Sequence, residues 1–546
     1  MKIKYLLLST LLSLAVSFSA YAQNPGADYI ALGEIKLAKE YFSKTMQQNP
    51  GEAYYYLGEI AYKEGKFGEA KENYEKGLAA NPESALCAVG LAKLELKSDP
   101  KAAKNKLNDI QKKNKKDIHV VLAIAKAFYD NKMDEDGAKK FEDALKIDKK
   151  SPWPYLFEGD LLAAQAKPGD AAQQYDQAIN FDPNCVIAYM KSALIYEGIN
   201  PNASIDLLKK VIEIRPDYKI AYRYLGRIYT VTGMYTDAIA AYKVLFEGGD
   251  YTIEDLKHYV RASYFSQQFD LAKTLLKEGL AKEPNDFILN RLSMYAYNDT
   301  EDYVSGLATA QKFFGLPKAA DVNYIVQDYM VYGNLLSENN QKKDAIEQYK
   351  KAIEVDSTKI ELNKEIANIC ANENMFEDAA AFYKEYISKV GENAEASDYF
   401  QLGRYYLSAG SDLYRDSIPE VKAKGESLLK EADASFAIVT ERIPDSYLGY
   451  YWRASVNSML DPELKAGLAK PFYEETIKVI MAKNEAETRT SILATAYEYL
   501  SVYFYYQYDT NKDAASKAET ISYCEKLLSV KPDHTMAQQI LAALKQ

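Results

Sequence analysis

One recurring spacing constrains this chain more than any other feature. Tyr54, Leu57-Gly58, Gly65-x-Phe67, Ala70 and Tyr74 are matched offset for offset by Tyr222, Leu225-Gly226, Gly233-x-Tyr235, Ala238 and Tyr242. The second half of the pattern returns as Ala38-x3-Phe42, Ala171-x3-Tyr175-x2-Ala178, Ala272-x3-Leu276, Ala345-x3-Tyr349-x2-Ala352, Ala379-x3-Tyr383 and Ala432-x3-Phe436-x2-Val439. These anchors set unit starts near 51, 83, 118, 152, 185, 219, 253, 287, 326, 360, 396 and 447, with a degraded thirteenth near 485. Most spacings are 32–36 residues; the exceptions are 39 across 287–326 and 51 across 396–447. A chain with such a period is built from one small unit that cannot bury its apolar face alone and must stack on its neighbours.

The residue types say what the unit is. A glycine at its eighth position (Gly58, Gly90, Gly159, Gly226, Gly333, Gly403) lets a second helix approach closely. The alanine at position 20 does the same from the other side. A proline near position 32, as at Pro50, Pro82 and Pro183, cannot continue a helix. With its aromatic-x2-Leu-Gly core and Ala-x3-aromatic second half, the pattern resembles the tetratricopeptide repeat, over nearly the whole chain. The resemblance implies an all-α superhelical solenoid of about 13 helical hairpins ending in a C-terminal capping helix. It also implies a concave groove, lined by first helices, that holds peptide segments of protein partners.

Five segments follow. Residues 1–22 read as a secretory signal peptide: Lys2 and Lys4, an apolar run from Tyr5 to Phe18, then Ala20-Tyr21-Ala22. No cysteine stands at the cleavage point, so no lipid anchor is expected, and no later run is apolar enough to insert in a membrane. Residues 23–50 form an N-terminal half-repeat with little chain for a first helix. Residues 51–395 are the regular solenoid, irregular near 298–325 where Gly306, Gly315 and Pro317 fall. Residues 396–532 are divergent repeats with a loop-like insertion near 409–427, and 533–546 are the cap.

Composition excludes several functions. Among 546 residues 48% are apolar and 27% charged, which rules out a disordered chain. The net charge is −11, and −13 once Lys2 and Lys4 leave with the leader (65 bases against 78 acids), so neither nucleic acid nor an anionic membrane is an expected partner. Cys87, Cys185, Cys370 and Cys524 lie at least 98 residues apart. If each hairpin touches only its neighbours, these are four free thiols, and His119, His258 and His534 cannot converge. No nucleophile, metal-binding or phosphate-binding motif stands out, so no catalytic residue, metal or cofactor is expected. Such a stack also leaves no enclosed pocket in which reactive groups could gather.

Two surfaces stand out as sites. At 100° per residue, positions 5, 9 and 12 of each first helix share a stripe that faces the groove. It carries Arg223 and Arg227 in one unit, and Lys257, Arg261 and Tyr264 near it in the next: either a basic strip suited to a carboxylate-bearing peptide or a solvated face offset by neighbouring acids such as Glu254 and Asp255. A chaperone-tail carboxylate clamp, known in one branch of the repeat family, is matched at Lys364 and Asn368 but not at Gln401, Leu448 and Trp452. The second surface is the run Tyr503-Phe504-Tyr505-Tyr506, which covers a whole helix circumference, so some rings must leave the core. The expected function is a non-enzymatic periplasmic scaffold joining an envelope assembly or secretion complex. It could associate there with an outer-membrane complex. An alternative is a glycan- or solute-binding protein using Tyr503, Tyr505 and Tyr506.

Overall fold

The computed structural model describes residues 24–249, 251–317 and 323–544. The signal peptide read at 1–22 lies outside them. Twenty-nine α-helices and no strand occur among the described residues, and consecutive helices pack in pairs. The fold is therefore the all-α stack of helical hairpins that the period predicts. The chain divides into two compact units, one through Leu292 and one from Ser293.

First helices begin at Pro50, Ala85, Ile118, Pro152, Val186, Lys219, Ile253, Phe287, Val326, Leu362, Ala396, Tyr447 and Thr490, each within about five residues of the start read from sequence. Two of them, at Pro50 and Pro152, begin on proline because the first helical N–H has no partner to lose. Asn49 and Asp99 cap Pro50–Lys63 and Pro100–Lys113, accepting the N–H of Glu52 and Ala102. The turn inside a hairpin passes through left-handed backbone at one fixed place, Gly65, Lys132, Gly233, Asn340 and Asn374 among others. There the next N–H reaches back five residues, as Lys66 does to Ala61 and Met133 to Phe128.

What holds a hairpin shut is an aromatic ring set against glycine. Tyr74, on Phe67–Ala80, is fully buried between Gly58 and Gly90. A Cβ on Gly58 would lie 2.3 Å from the ring, and one on Gly90 2.5 Å. The alanines at position 20, from Ala70 to Ala432, are wholly buried.

Three local readings change. The half-repeat has a first helix after all, the seven-residue Pro25–Ala31, capped by Asn24. The 409–427 insertion is no loop: it lengthens Ala396–Tyr414 and Pro419–Arg442, two long helices that cross where a Cβ on Gly410 would meet the Gly425 carbonyl oxygen at 2.9 Å. Small residues are needed there because backbone faces backbone. The 298–325 irregularity is a hairpin, Phe287–Asp299 and Tyr303–Phe314, with a long connection to Val326 of which 318–322 lie outside the description. Its end is fixed by Phe314, whose ring meets Tyr324, Tyr329 and Tyr332. At the C-terminus Ile540, Leu541 and Leu544 of Thr535–Leu544 pack on Leu493, Tyr497 and Leu527.

Gly58→Ala should lower the urea midpoint by an amount equivalent to about 1–3 kcal/mol through overpacking. Gly68→Ala, with open space around it, should stay within about 0.5 kcal/mol or gain slightly. Equal shifts would show that ring and glycine are not in contact.

Candidate functional site

The basic strip is built into the stack. Arg223, on Lys219–Val231, is 8% exposed and gives Nε to Asp255 Oδ2 at 2.9 Å and Nη1 to Glu34 Oε2 at 3.0 Å. Arg227 forks onto both oxygens of Glu197, with Nε at 2.8 Å, and lies over the Tyr224 ring. Lys257 sits between Glu254 (2.7 Å) and Asp286 (2.6 Å). Arg261 is exposed, its guanidinium 5.9 Å from the Phe265 ring centre, and Tyr264 is half-buried edge-on to Phe265 and Phe269. Arg227, His258 and Arg261 stay close enough that the two guanidiniums add to burial in pushing the His258 pKa down.

The partners form a rule the residue pattern alone did not reveal. Asp255, Asp328 and Asp398 each stand third in a first helix and accept the N–H of the residue before that helix, at 2.7, 2.9 and 2.9 Å. Each also binds the preceding hairpin: Asp255 takes Arg223, Asp328 the Tyr295 hydroxyl at 2.6 Å, and Asp398 the Tyr383 hydroxyl at 3.1 Å and Lys364 Nζ at 3.2 Å. One carboxylate thus caps a helix and ties it to its neighbour. The signal was available as an acid about one repeat after each base at position 5. Asn368, the other half-match to a carboxylate clamp, accepts from the Tyr405 hydroxyl at 2.9 Å.

Glu34 contradicts the expectation that a hairpin touches only its sequence neighbours. It precedes Ile35–Thr45, six hairpins before Arg223. Beside it Tyr29 stacks on Tyr218 at 6.4 Å and 10°, and Asp28 Oδ2 lies 3.9 Å from Arg215 Nη1. Small rotations between successive hairpins add up, and within the first unit they bring the row back to its own beginning.

This curl forms a half-open cavity of about 660 Å3 on the groove side. Its walls are the first helices Pro50–Lys63, Ala85–Glu95, Ile118–Asp130, Pro152–Ala164 and Val186–Tyr196, with Pro25–Ala31 at the rim. Tyr55, Tyr56, Trp153 and Phe157 supply aromatic surface. Below one wall lies a buried charge cluster: Lys93 reaches both oxygens of Glu59 at 3.0 Å and Asp130 at 2.6 Å, and Tyr74 donates to Glu59 at 2.8 Å. Burial alone would raise Glu59, but Lys126, Lys93 and the Tyr74 hydroxyl overcome it and hold the carboxyl at about 2. Asp28 is the reverse case. It is 4% exposed, Oδ2 accepts no hydrogen bond, and burial raises it to about 7 against the pull of Arg215 and Lys191.

The C-terminal aromatics are half-buried on Thr490–Asn511. Tyr503 stacks parallel to Tyr499 and abuts Gly467, in a loop that Asp461 gathers by accepting the N–H groups of Ala466, Gly467 and Leu468. Tyr505 packs on the terminal apolar cluster, and Tyr506 is half-covered. The sequence-chosen sites therefore fall apart: Arg223, Arg227, Lys257, Arg261 and Tyr264 lie together in the first unit, Tyr503, Tyr505 and Tyr506 in the second. The four cysteines are buried free thiols; burial raises Cys185 to about 12 and Cys370 to about 11. Among the described residues no side-chain group suited to a metal ion occurs, and no helix is long and apolar enough to cross a membrane.

Two tetratricopeptide-repeat models match, at residues 51–84 and 329–359. With the hairpin packing above, they show that the chain carries tetratricopeptide repeats. The TPR repeat-containing protein YpiA of Bacillus subtilis is 24% identical over 241 residues, 38% of this chain; the chain spans 56% of that relative's length. Among solved structures, the C-terminal part of a TPR repeat-containing protein from Cytophaga hutchinsonii is 24% identical, with TM-score 0.36 over 52% of this chain and 99% of that one. PilW, described as a type IV pilus biogenesis factor, is 19% identical, with TM-score 0.30 over 38% of this chain and 96% of its own.

Two outcomes follow for substitutions. Arg223→Glu sets a third carboxylate between Asp255 and Glu34 and should cost about 3–5 kcal/mol in a denaturation experiment. Arg261→Glu, in solvent, should stay within about 0.5 kcal/mol. For Asp28 the folded chain holds a proton between its ordinary pKa of 3.8 and about 7 that the unfolded chain has lost, so stability falls as pH rises through that window. The melting temperature of Asp28→Asn should therefore gain on the native chain between pH 5 and pH 8; a constant difference would place Asp28 in water.

Proposed function

We propose that this chain is a non-enzymatic scaffold that takes segments of protein partners along the inner faces of its first helices. It serves an envelope assembly or secretion complex in the periplasm of a Gram-negative cell. The observation that carries this reading is the cavity of the first unit. Five consecutive hairpins contribute side chains to one concave surface, and the inter-hairpin ion pairs keep that surface in place without an occupant. Aromatic faces offer contact area at low entropic cost, and the charged groups between them fix register. Such a wall suits an extended segment of a partner. The export reading rests on the leader-like residues 1–22 and on the acidic balance of the remainder. Arg261 and Tyr264 remain the groove residues proposed to meet a partner beyond the cavity.

A photo-crosslinking residue at position 153 in intact cells, followed by mass spectrometry, tests this. Defined protein adducts are expected at 153 and not at the exposed position 101. The mature N-terminus should be Gln23. Adducts absent from 153, or equal at both positions, would remove the groove from the account, and a retained Met1 would remove export.

A further inference from the structure

Charge inside the first unit's cavity is unbalanced, and in one direction. Its walls carry Asp28, Glu52, Asp117 and Asp160 against Lys126 and Lys191. Both lysines are already answered: Lys126 by Asp130 at 2.5 Å and Glu59 at 3.2 Å, Lys191 by Asp160. Asp117 is used as well, since it caps Ile118–Asp130 by accepting the N–H groups of His119 and Val120. That leaves Asp28 and Glu52. Glu52 takes one neutral hydrogen bond, from Asn49 Nδ2 at 2.8 Å on Oε2. Asp28 Oδ2 takes none, and the nearest guanidinium, Arg215, stands at 3.9 Å, too far to donate.

A buried carboxyl oxygen without a donor is costly unless something supplies one. A tightly packed core would have filled the space or paired the group. Here Asp28 lies in the wall of a cavity, its Oδ2 buried just behind the surface, and that wall also carries Tyr55 and Tyr56 from Pro50–Lys63 and Trp153 from Pro152–Ala164 among aliphatic and polar side chains. Carboxylates beside aromatic faces are the surroundings a cationic side chain requires, because the charge is met at its tip and the aliphatic stem is covered by rings. A volume of about 660 Å3 lies within the usual 300–1,000 Å3 of ligand-holding clefts and exceeds what a lone side chain fills. Walls drawn from five consecutive hairpins favour an occupant extended along the row.

We infer that the cavity of the first unit docks a lysine- or arginine-bearing peptide segment, with Asp28 and Glu52 receiving the cationic group. The inference deepens the groove reading and rests on it. It also gives the rim helix Pro25–Ala31 a purpose: held by the Glu34–Arg223 pair and the Tyr29–Tyr218 stack, it delivers Asp28 to the cavity.

The test uses the full chain with Trp452→Phe, which leaves Trp153 as its one tryptophan. Three decapeptides on a common Ala/Gly framework, carrying four Lys, four Gln or four Glu, are titrated while Trp153 emission is read, with spermine as a fourth probe. The Lys peptide should bind about tenfold or more tightly than the Gln peptide. That preference should vanish in Asp28→Asn/Glu52→Gln, with the circular dichroism spectrum unchanged, which separates the site from general attraction to an acidic protein. Equal binding of the Lys and Gln peptides would overturn the charge assignment and leave the groove reading standing. Spermine binding as tightly as the Lys peptide would overturn the peptide assignment. If no peptide moves Trp153 emission, both the inference and the groove reading fail.

Discussion

The stack depends on how closely two helices can approach across an aromatic ring. Tyr74 between Gly58 and Gly90 shows the constraint plainly: the ring occupies the space that two β-carbons would need. Its flat faces therefore lie directly on helix backbone, from its own hairpin and from the next. Because the same ring serves both contacts, closing one hairpin and docking its neighbour are one packing event. Tyr175 against Gly159, Tyr349 against Gly333 and Phe436 against Gly403 repeat the arrangement at the hairpin level. Apolar burial of this kind is non-directional, and alone it would permit sliding along the row.

Register comes from charge. An aspartate that caps its own helix and binds the previous hairpin has its carboxylate fixed from two sides, so the distance between hairpins is fixed too. The arrangement uses a partly desolvated ion pair where it is best employed, specifying geometry more than adding stability. Asp255 with Glu34, Glu197, and Glu254 with Asp286 leave Arg223, Arg227 and Lys257 with their charges met from within the chain. A base on a groove face is thus not by itself a ligand contact in a repeat protein. The useful observation is the group left over after internal pairing, and in the first unit that group is an acid.

Much of this was legible in the residues. The hairpin starts, the buried alanines and the glycine–aromatic pairing follow from a period that sequence displays directly. Three things were not. The helical character of 409–427 was hidden because Gly410, Gly425 and Pro419 read as loop formers, whereas two of them permit a backbone crossing and the third starts a helix. Glu254 and Asp255 were legible as acids offsetting the basic strip, but Glu197, Asp286 and Glu34 were not, because each lies about a repeat or more from its base. The curl of the first unit could not be read at all: it is the sum of small rotations, and local pattern carries no trace of their total. Hence Asp28, an acid in a supposed half-repeat, and Trp153, four hairpins along the chain, line one cavity.

The return of the first unit onto its own beginning is the claim on which cavity, rim helix and binding site all rest. A double-mutant cycle on Glu34→Gln and Arg223→Gln measures it most directly, since these two residues are separated by six hairpins and can couple only if the row curls. The structure predicts a coupling free energy of about 1–3 kcal/mol in denaturant titrations. Additive effects, with no coupling beyond error, would mean that the two side chains do not meet and that the first unit stays open.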